Sequence, residues 1–373
     1  MGIPGYATPE GTARYAARLQ GSVADGHFRD FQGLQISSIG LGTYLGEHDA
    51  DTDAQYRDAI MRAVELGCNL IDTAVNYRFQ QSERVIGQAL ARLFEQGRLQ
   101  RDEVVIATKG GFIPFDGGPP QTQEEFIGYI EQTFVQPGVI RPTDLVAGCH
   151  CMTPSYLHHQ LGTSLHNLDL ECVDIYFVHN PETQLEEVPR ADFVQRMRAA
   201  FEALEGSATA GQLRWYGVAT WEGFRRPAEA PDYLSLAELV SAAHDVGGDG
   251  HHFGVIQLPH NLAMPEALTQ QNQQVDGQML SPLEAAQAFG LYVLCSASIL
   301  QSRLTRGLPN VLGQVFRLDT DAQRAIQFVR SSPGVGTALI GMKQVGHVVD
   351  NLAVAKVPPA ALEQFMQLFG PSS

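Results

Sequence analysis

One recurrence constrains this chain more than any other feature: eight short apolar or β-branched runs, with helical periodicity between them. The runs are Ser38 to Gly42, Asn69 to Thr73, Val104 to Thr108, Val173 to His179, Trp215 to Thr220, Phe253 to Leu258, Leu291 to Ser296 and Ala338 to Met342. Alternation of this kind marks βα units and a parallel sheet. In the first interval Thr52 and Gln55 read as a capping box, Tyr56, Ala59, Ile60, Ala63 and Val64 share one face, and Gly67 stands where the helix stops. The second interval repeats the pattern, with Val85, Ile86, Ala89, Leu90, Leu93 and Phe94 in a stripe that ends at Gly97. Eight such units predict an α/β chain closed as a (β/α)8 barrel, one domain over residues 35–373 behind an extension at 1–34.

The rival is an open dinucleotide-binding sheet. It needs G-x-G-x-x-G between the first strand and its helix, and the nearest approach, Gly40 to Gly46, is not followed directly by a helix. Three connections, 110–143, 222–235 and 300–320, exceed ordinary length. In a barrel, loops that follow strands cover the active-site mouth, so these are candidates for substrate gating as well as for surface decoration.

Composition narrows the partners. A formal net charge of −16 disfavours a phosphate backbone, so no nucleic-acid partner is expected, and a phosphorylated ligand needs its own lysine or arginine. No apolar stretch is long enough to span a bilayer, and no basic flank leads into an apolar run at the N-terminus. Met1-Gly2 has the start of a myristoylation signal, but Tyr6 stands where Ser or Thr belongs. The five cysteines, Cys68, Cys149, Cys151, Cys172 and Cys295, lie mostly in apolar runs that suit reduced thiols, which favours a cytoplasmic location.

In a barrel of this kind the chemistry sits at the carboxyl ends of the strands. Here Asp72, Lys109, His179, Thr220, Gln257 and Ser296 close or follow otherwise apolar runs. Each alone is as well explained by capping or core satisfaction. An acid, a lysine and a histidine converging on one face point further, and Tyr77 follows Asp72 by five residues. A phenol ionises near pH ~10, so it serves as an acid/base group only where a cation stabilises the phenolate. Lys109 is positioned in sequence to supply that charge, Asp72 to hold the lysine protonated, and His179 to orient a substrate oxygen.

These segments resemble the aldo-keto reductase superfamily, from about Phe28 to Pro359. IDTAVNY resembles the family's aspartate-to-tyrosine segment, VVIATKGG its lysine strand and VDIYFVHNPE its histidine strand. The resemblance implies a nicotinamide-dependent enzyme that reduces an aldehyde or ketone, with Tyr77 as general acid/base, Lys109 and Asp72 as its pKa-lowering pair and His179 as carbonyl orienter. It further implies a cofactor held by Thr43, Thr220, Gln257, Ser296, Gly341, Lys343, Asp350 and Asn351, and a substrate held near Tyr44 and Trp221. Asn261 lies on the same loop as Gln257. Two positions depart from the pattern: Ala219 stands in the family's G-V-S-N stretch, and Cys295 where a ring-stacking tyrosine is common, for which Trp221 is a possible substitute. Lys343 as partner of a 2′-phosphate favours NADPH over NADH.

The histidine-rich runs Cys149-His150-Cys151, His158-His159 and His251-His252 invite a metal reading, but no paired C-x2-C or H-x-x-x-H set accompanies them, and no metal is expected; Cys149 and Cys151 alternate as a strand would, so packing explains at least one of them. Two alternatives to a general carbonyl reductase stay open on sequence: a nicotinamide-binding regulatory or interaction subunit, and a specialised biosynthetic enzyme using the same tyrosine and lysine. Tyr44, Phe79, Phe112 and Trp221 on loop positions predict a substrate with an apolar body.

Overall fold

The computed structural model describes residues 2–369. Met1 of the signal reading, and the two ends of the expected domain bounds at Met1 and 370–373, lie outside them. All eight expected strands form, and they close into one parallel barrel. The strands are β1 (Ile39–Gly42), β2 (Leu70–Asp72), β3 (Val105–Gly110), β4 (Val173–His179), β5 (Leu213–Ala219), β6 (Phe253–Pro259), β7 (Tyr292–Ser296) and β8 (Thr337–Gly341). The main intervening helices are α1 (Ala50–Glu65), α2 (Gln81–Glu95), α3 (Pro154–Leu168), α4 (Arg190–Thr209), α5 (Leu236–Gly247), α6 (Pro282–Ala288) and α7 (Asp321–Ser331), with α8 (Val345–Leu352) after β8.

Side chains alternate across a strand, so parity decides which residues enter the barrel. Leu70, Val105, Ala107, Ile175, Phe177, Val255, Leu294 and Leu339 fill the interior, whereas Ile71, Ile106, Tyr176, Val178, Ile256 and Ile340 pack outward against the helices. Continuing each inward series brings Asp72, Lys109, His179, Ala219, Gln257, Ser296 and Gly341 to the carboxyl-end layer. Ladder pairs Gly42↔Asp72, Asp72↔Ala107, His179↔Ala219 and Ala219↔Gln257 keep neighbouring strands level there.

The opposite end is plugged. An antiparallel hairpin, Phe28–Phe31 with Leu34–Ser37, inserts Phe31, Leu34 and Ile36 into the interior cluster, where Phe31 packs on Trp215 and Tyr292 at ring-centroid distances of 5.1 Å each. The hairpin straddles residue 35, the expected start of the barrel domain. Ahead of it, a helix over Pro9–Arg18 is tied to the barrel through Arg14 and Arg18, both paired with the buried carboxylate of Glu103.

Two local expectations are corrected. The expected capping box at Thr52 is replaced by Asp49, whose carboxylate accepts from the Thr52 N–H at 2.8 Å, and α1 starts two residues earlier than Thr52. A carboxylate at the N-cap also answers the helix dipole. Cys149 and Cys151 do not form a strand: His150 between them makes only isolated bridges to Phe112 and Val146. The helix stops behave as expected, with Gly67 and Gly97 at φ +102° and +66°.

The three long connections follow β3, β5 and β7, which puts all three at the carboxyl-end face. The first contains a helix over Gln123–Ile130, and its Ile113, Ile130, Phe134 and Ile140 form a separate apolar cluster with Cys151 and with Tyr156 of α3. Among the described residues no helix is long and apolar enough to cross a membrane.

Burial pushes His27, His150 and His260 down to about 4. Their unfolded-state value is near ~6.5, so between these limits the unfolded chain binds protons that the native fold refuses. Stability is therefore complete above about pH 6.5 and is lost as pH falls toward about 4, each histidine contributing up to about 1.4 kcal/mol per pH unit. Urea unfolding midpoints should fall from pH 7.5 to pH 5; a midpoint constant over that range would contradict the assignment.

Candidate active site

A cavity of about 510 Å³ opens at the carboxyl-end face. Its floor is formed by Asp72, His179, Ala219, Gln257, Ser296 and Gly341 of the carboxyl-end layer, and its walls are loops carrying Tyr44, Tyr77, Phe112, Asn180, Trp221 and Ile299. Gly42 and Gly341, paired across β1 and β8, leave part of the floor without side chains.

Lys109 lies beneath, fully buried, with Nζ 2.9 and 2.7 Å from the two Asp72 carboxylate oxygens and 2.7 Å from the Thr73 carbonyl. An ammonium has three N–H donors, and all three are used. Burial pushes Lys109 below its ordinary range, and the Asp72 carboxylate counters that. Gln257 closes the arrangement by donating from Nε2 to Asp72 Oδ1 at 2.7 Å.

Tyr77 stands above this pair, its ring centroid 5.0 Å from Lys109 Nζ. It meets His179 edge-on at 5.9 Å and Tyr44 at 5.0 Å. Burial raises the Tyr77 phenol well above its usual value, and the Asp72 carboxylate adds to this. Burial drives His179 well below the usual imidazole range, with Lys109 and His150 adding to the shift. Both groups are thus neutral near pH 7, and the lysine–aspartate pair carries the charge.

The expected residues separate into three groups. Asp72, Lys109, Tyr77 and His179 come together. Thr43, Thr220, Gln257, Ser296 and Gly341 line the cavity, as do Tyr44 and Trp221, which are 58% and 42% exposed at its rim. Lys343, Asp350 and Asn351 lie beyond its lining, at the β8–α8 turn and in α8. There Asp350 accepts from Gln323 at 3.0 Å, and the α8 N-terminus has no side-chain cap. Asn261 turns away, bonding the Ala297 carbonyl and the Ala263 N–H.

Sequence reasoning missed several partners. Glu182, buried, accepts from the Thr220 hydroxyl and from the Trp221 and Glu222 N–H groups, so the Thr220 side chain is already engaged. Asn180, at φ +45° just past His179, and Ile299 and Gln301 also line the cavity. The only local signal was adjacency, Asn180 to the strand end and Glu182 to the Asn-Pro turn. Among the described residues no group of three or more His, Cys, Asp or Glu side chains is placed to hold a metal.

The sequence matches the model of the Aldo/keto reductase family over residues 38–238. The chain belongs to the aldo/keto reductase family. Among relatives, it is 31% identical over 211 residues to an NADH-specific methylglyoxal reductase of Escherichia coli (strain K12), covering 55% of this chain and 54% of that one. It is 36% identical over 83 residues to an Aldose reductase C of Dictyostelium discoideum, covering 22% and 24%. The chain thus spans about half the length of the first of these curated relatives and about a quarter of the second. The barrel resembles an aldo/keto reductase from Klebsiella pneumoniae solved with NADP and acetate, at TM-score 0.62 and 21% identity over 94% of this chain and 97% of that one. It also resembles a glycerol dehydrogenase from Gluconobacter oxydans, at TM-score 0.63 and 18% identity over 92% and 94%.

Removing one partner of a buried pair strands the other charge, whereas removing both does not. Lys109→Met should cost about 3–5 kcal/mol in urea unfolding, and Asp72→Asn combined with Lys109→Met should recover part of that loss. Strictly additive losses would show that the two groups are not coupled.

Proposed function

We propose that this chain reduces a neutral aldehyde or ketone to the alcohol at the expense of a reduced nicotinamide cofactor, with Tyr77 as the proton donor. The observation that carries the proposal is the buried Lys109–Asp72 pair lying 5.0 Å beneath the Tyr77 ring, with His179 across the same cavity.

The residues present fit such a cofactor. The bare floor at Gly42 and Gly341 admits a flat ring, and Thr43, Ser296 and Gln257 offer polar groups beside it. Gln257 gives one N–H to Asp72 and retains its carbonyl oxygen and a second N–H for a carboxamide. Thr220 has its hydroxyl bound to Glu182 and its N–H to the Gln257 carbonyl, which leaves its main-chain carbonyl to offer. Lys343 stands just ahead of the uncapped α8 N-terminus, where helix N–H groups favour an anion, and Asp350 and Asn351 lie in the last turn of the same helix. That lysine supports NADPH over NADH, and the relative in Klebsiella pneumoniae was solved with NADP. A bound reduced nicotinamide supplies hydride.

The protein's own part is proton management. Tyr77 enters the reaction protonated, because burial raises its pKa, and passes its proton to the carbonyl oxygen as negative charge develops there. The phenolate that results faces the Lys109 ammonium, an interaction worth little before transfer and much after it. Neutral His179 orients the same oxygen by hydrogen bonding and brings no charge to compete. Unpaired, mostly buried thiols support the cytoplasm as the compartment.

Substrate charge follows from the lining, which among the described residues contains no lysine or arginine. Tyr44, Phe112, Trp221 and Ile299 present apolar surface to the substrate body. A neutral aromatic or aliphatic aldehyde should therefore exceed its carboxylate-bearing analogue in kcat/KM by about tenfold, a margin of roughly 1.4 kcal/mol; preference for the anion would contradict the reading. The primary test is NADPH oxidation at 340 nm with a carbonyl panel, alongside Trp221 fluorescence for nucleotide binding. Tyr77→Phe should bind NADPH as wild type does and lose about 10²- to 10⁴-fold in kcat. Turnover unchanged in Tyr77→Phe, or no binding of either nucleotide, would overturn the proposal.

A further inference from the structure

The Cys149-His150-Cys151 run has no metal-binding companions among the described residues, and its histidine is engaged elsewhere. Arg196 on α4 can only donate, so the oxygen of Gln184, Oε1, must face it. Gln184 Nε2 is thereby turned to His150 Nδ1, at 2.8 Å, and only a bare ring nitrogen can accept from it. The ring proton therefore sits on Nε2, which donates to the main-chain carbonyl of His179 at 2.8 Å. Each polarity in this chain follows from the one before it, and together they leave His150 one tautomer and one orientation.

The accepting carbonyl belongs to the last residue of β4. The β3–β4 ladder ends one residue earlier, at Gly110↔Val178. His150 thus supplies the donor that β3 no longer provides. Gly111, at φ +149°, makes the contact possible: a Cβ there would fall 2.8 Å from His150 Nε2 and 2.9 Å from the His179 carbonyl oxygen. Backbone bonds lace the two ends of the inserted loop across this point, Ile113 N–H to the Cys149 carbonyl and Cys151 N–H to the Gly111 carbonyl, both at 2.9 Å. The aromatic geometry repeats the pattern. Phe112 meets His150 edge-on at 5.1 Å and His179 edge-on at 5.1 Å, so one cavity-lining ring is clamped between the two imidazoles.

We propose that His150 is a positioning residue for the carbonyl-binding side of the site: it sets the height of His179 and the plane of Phe112 by bridging the inserted loop to the end of β4. The proposal rests on the reading of His179 as the group that orients the substrate oxygen. Its consequence is that the long loop after β3 reaches the reacting carbonyl through one buried imidazole, without itself contributing a catalytic side chain.

The test uses the full chain with NADPH and the best neutral aldehyde of the panel. His150→Asn can place an amide near the Nδ1 position but cannot reach the His179 carbonyl. It should lose about 10- to 100-fold in kcat, the cost of a misplacement of about 1 Å, with KM and NADPH binding unchanged. His150→Gln reaches further, restores the donor, and should recover most of the loss at the same melting temperature. A rate difference between two equally stable variants is not what lost packing produces. Wild-type kcat in His150→Asn, or losses in both variants that track their melting temperatures, would overturn the proposal. Should neither fold, Gln184→Met, which frees the His150 tautomer while keeping volume, should lower kcat several-fold, about 0.5–1 kcal/mol in the barrier, and wild-type kcat there overturns it. His179→Ala is run in parallel. If it retains wild-type kcat, the reading of His179 falls and the proposal with it; if it loses activity while His150→Asn does not, the proposal alone falls.

Discussion

An ammonium group with every N–H donor spent inside a closed barrel requires that it and its acceptors be brought from different strands to the same height. Lys109 comes from β3, while Asp72 ends β2 and Thr73 follows it. Gln257 comes from β6, on the far side of the barrel, and reaches the same carboxylate. An open sheet has no way to place β2 and β6 around one carboxylate. Closure of the barrel and retention of the ion pair are therefore one constraint, and the plug of Phe31, Leu34 and Ile36 at the other end serves it by keeping water out from below.

The remaining electrostatics follow from where that pair sits. Tyr77 and His179 are both held in their neutral forms, one by a raised pKa and the other by a lowered one, and desolvation is the main cause in each case. One buried ion pair under two neutral proton-handling groups is economical. No net charge has to be stabilised until the carbonyl oxygen acquires it, and the nearest cation is then already in place. Had Lys109 donated directly to Tyr77, it would have lost one of the three acceptors that keep it protonated.

What was legible in the sequence was periodic. Apolar runs revealed eight strands, and a polar residue at the end of a run revealed an inward-facing position, because strand parity continues Ile175 and Phe177 into His179 and Val105 and Ala107 into Lys109. What stayed hidden were pairings between distant residues. The bond from Gln257 to Asp72 spans 185 residues, and that from Thr220 to Glu182 spans 38. Neither leaves a local signature, so Gln257 and Thr220 read as free ligand-binding groups although each is partly committed. Asp49 displaced Thr52 as helix cap because both are competent acceptors and only the path of the preceding loop chooses between them.

The same distinction separates the floor of the cavity from its walls. Floor residues are held by strand register and cannot shift without disturbing the barrel. Wall residues Phe112, Trp221 and Ile299 come from the connections after β3, β5 and β7, the segments with the weakest sequence pattern. Two of these wall residues nevertheless have a rigid anchor behind them. Glu182 holds the Trp221 N–H, and His150 faces the Phe112 ring while bonding the end of β4. Both anchors are buried polar side chains from segments adjoining β4, the strand that ends in His179. Long loops can therefore vary in length and sequence while the surface they present to a substrate stays referenced to the residue that meets its carbonyl. That coupling of wall to floor, more than the loops' own composition, is what allows irregular segments to define a specific site.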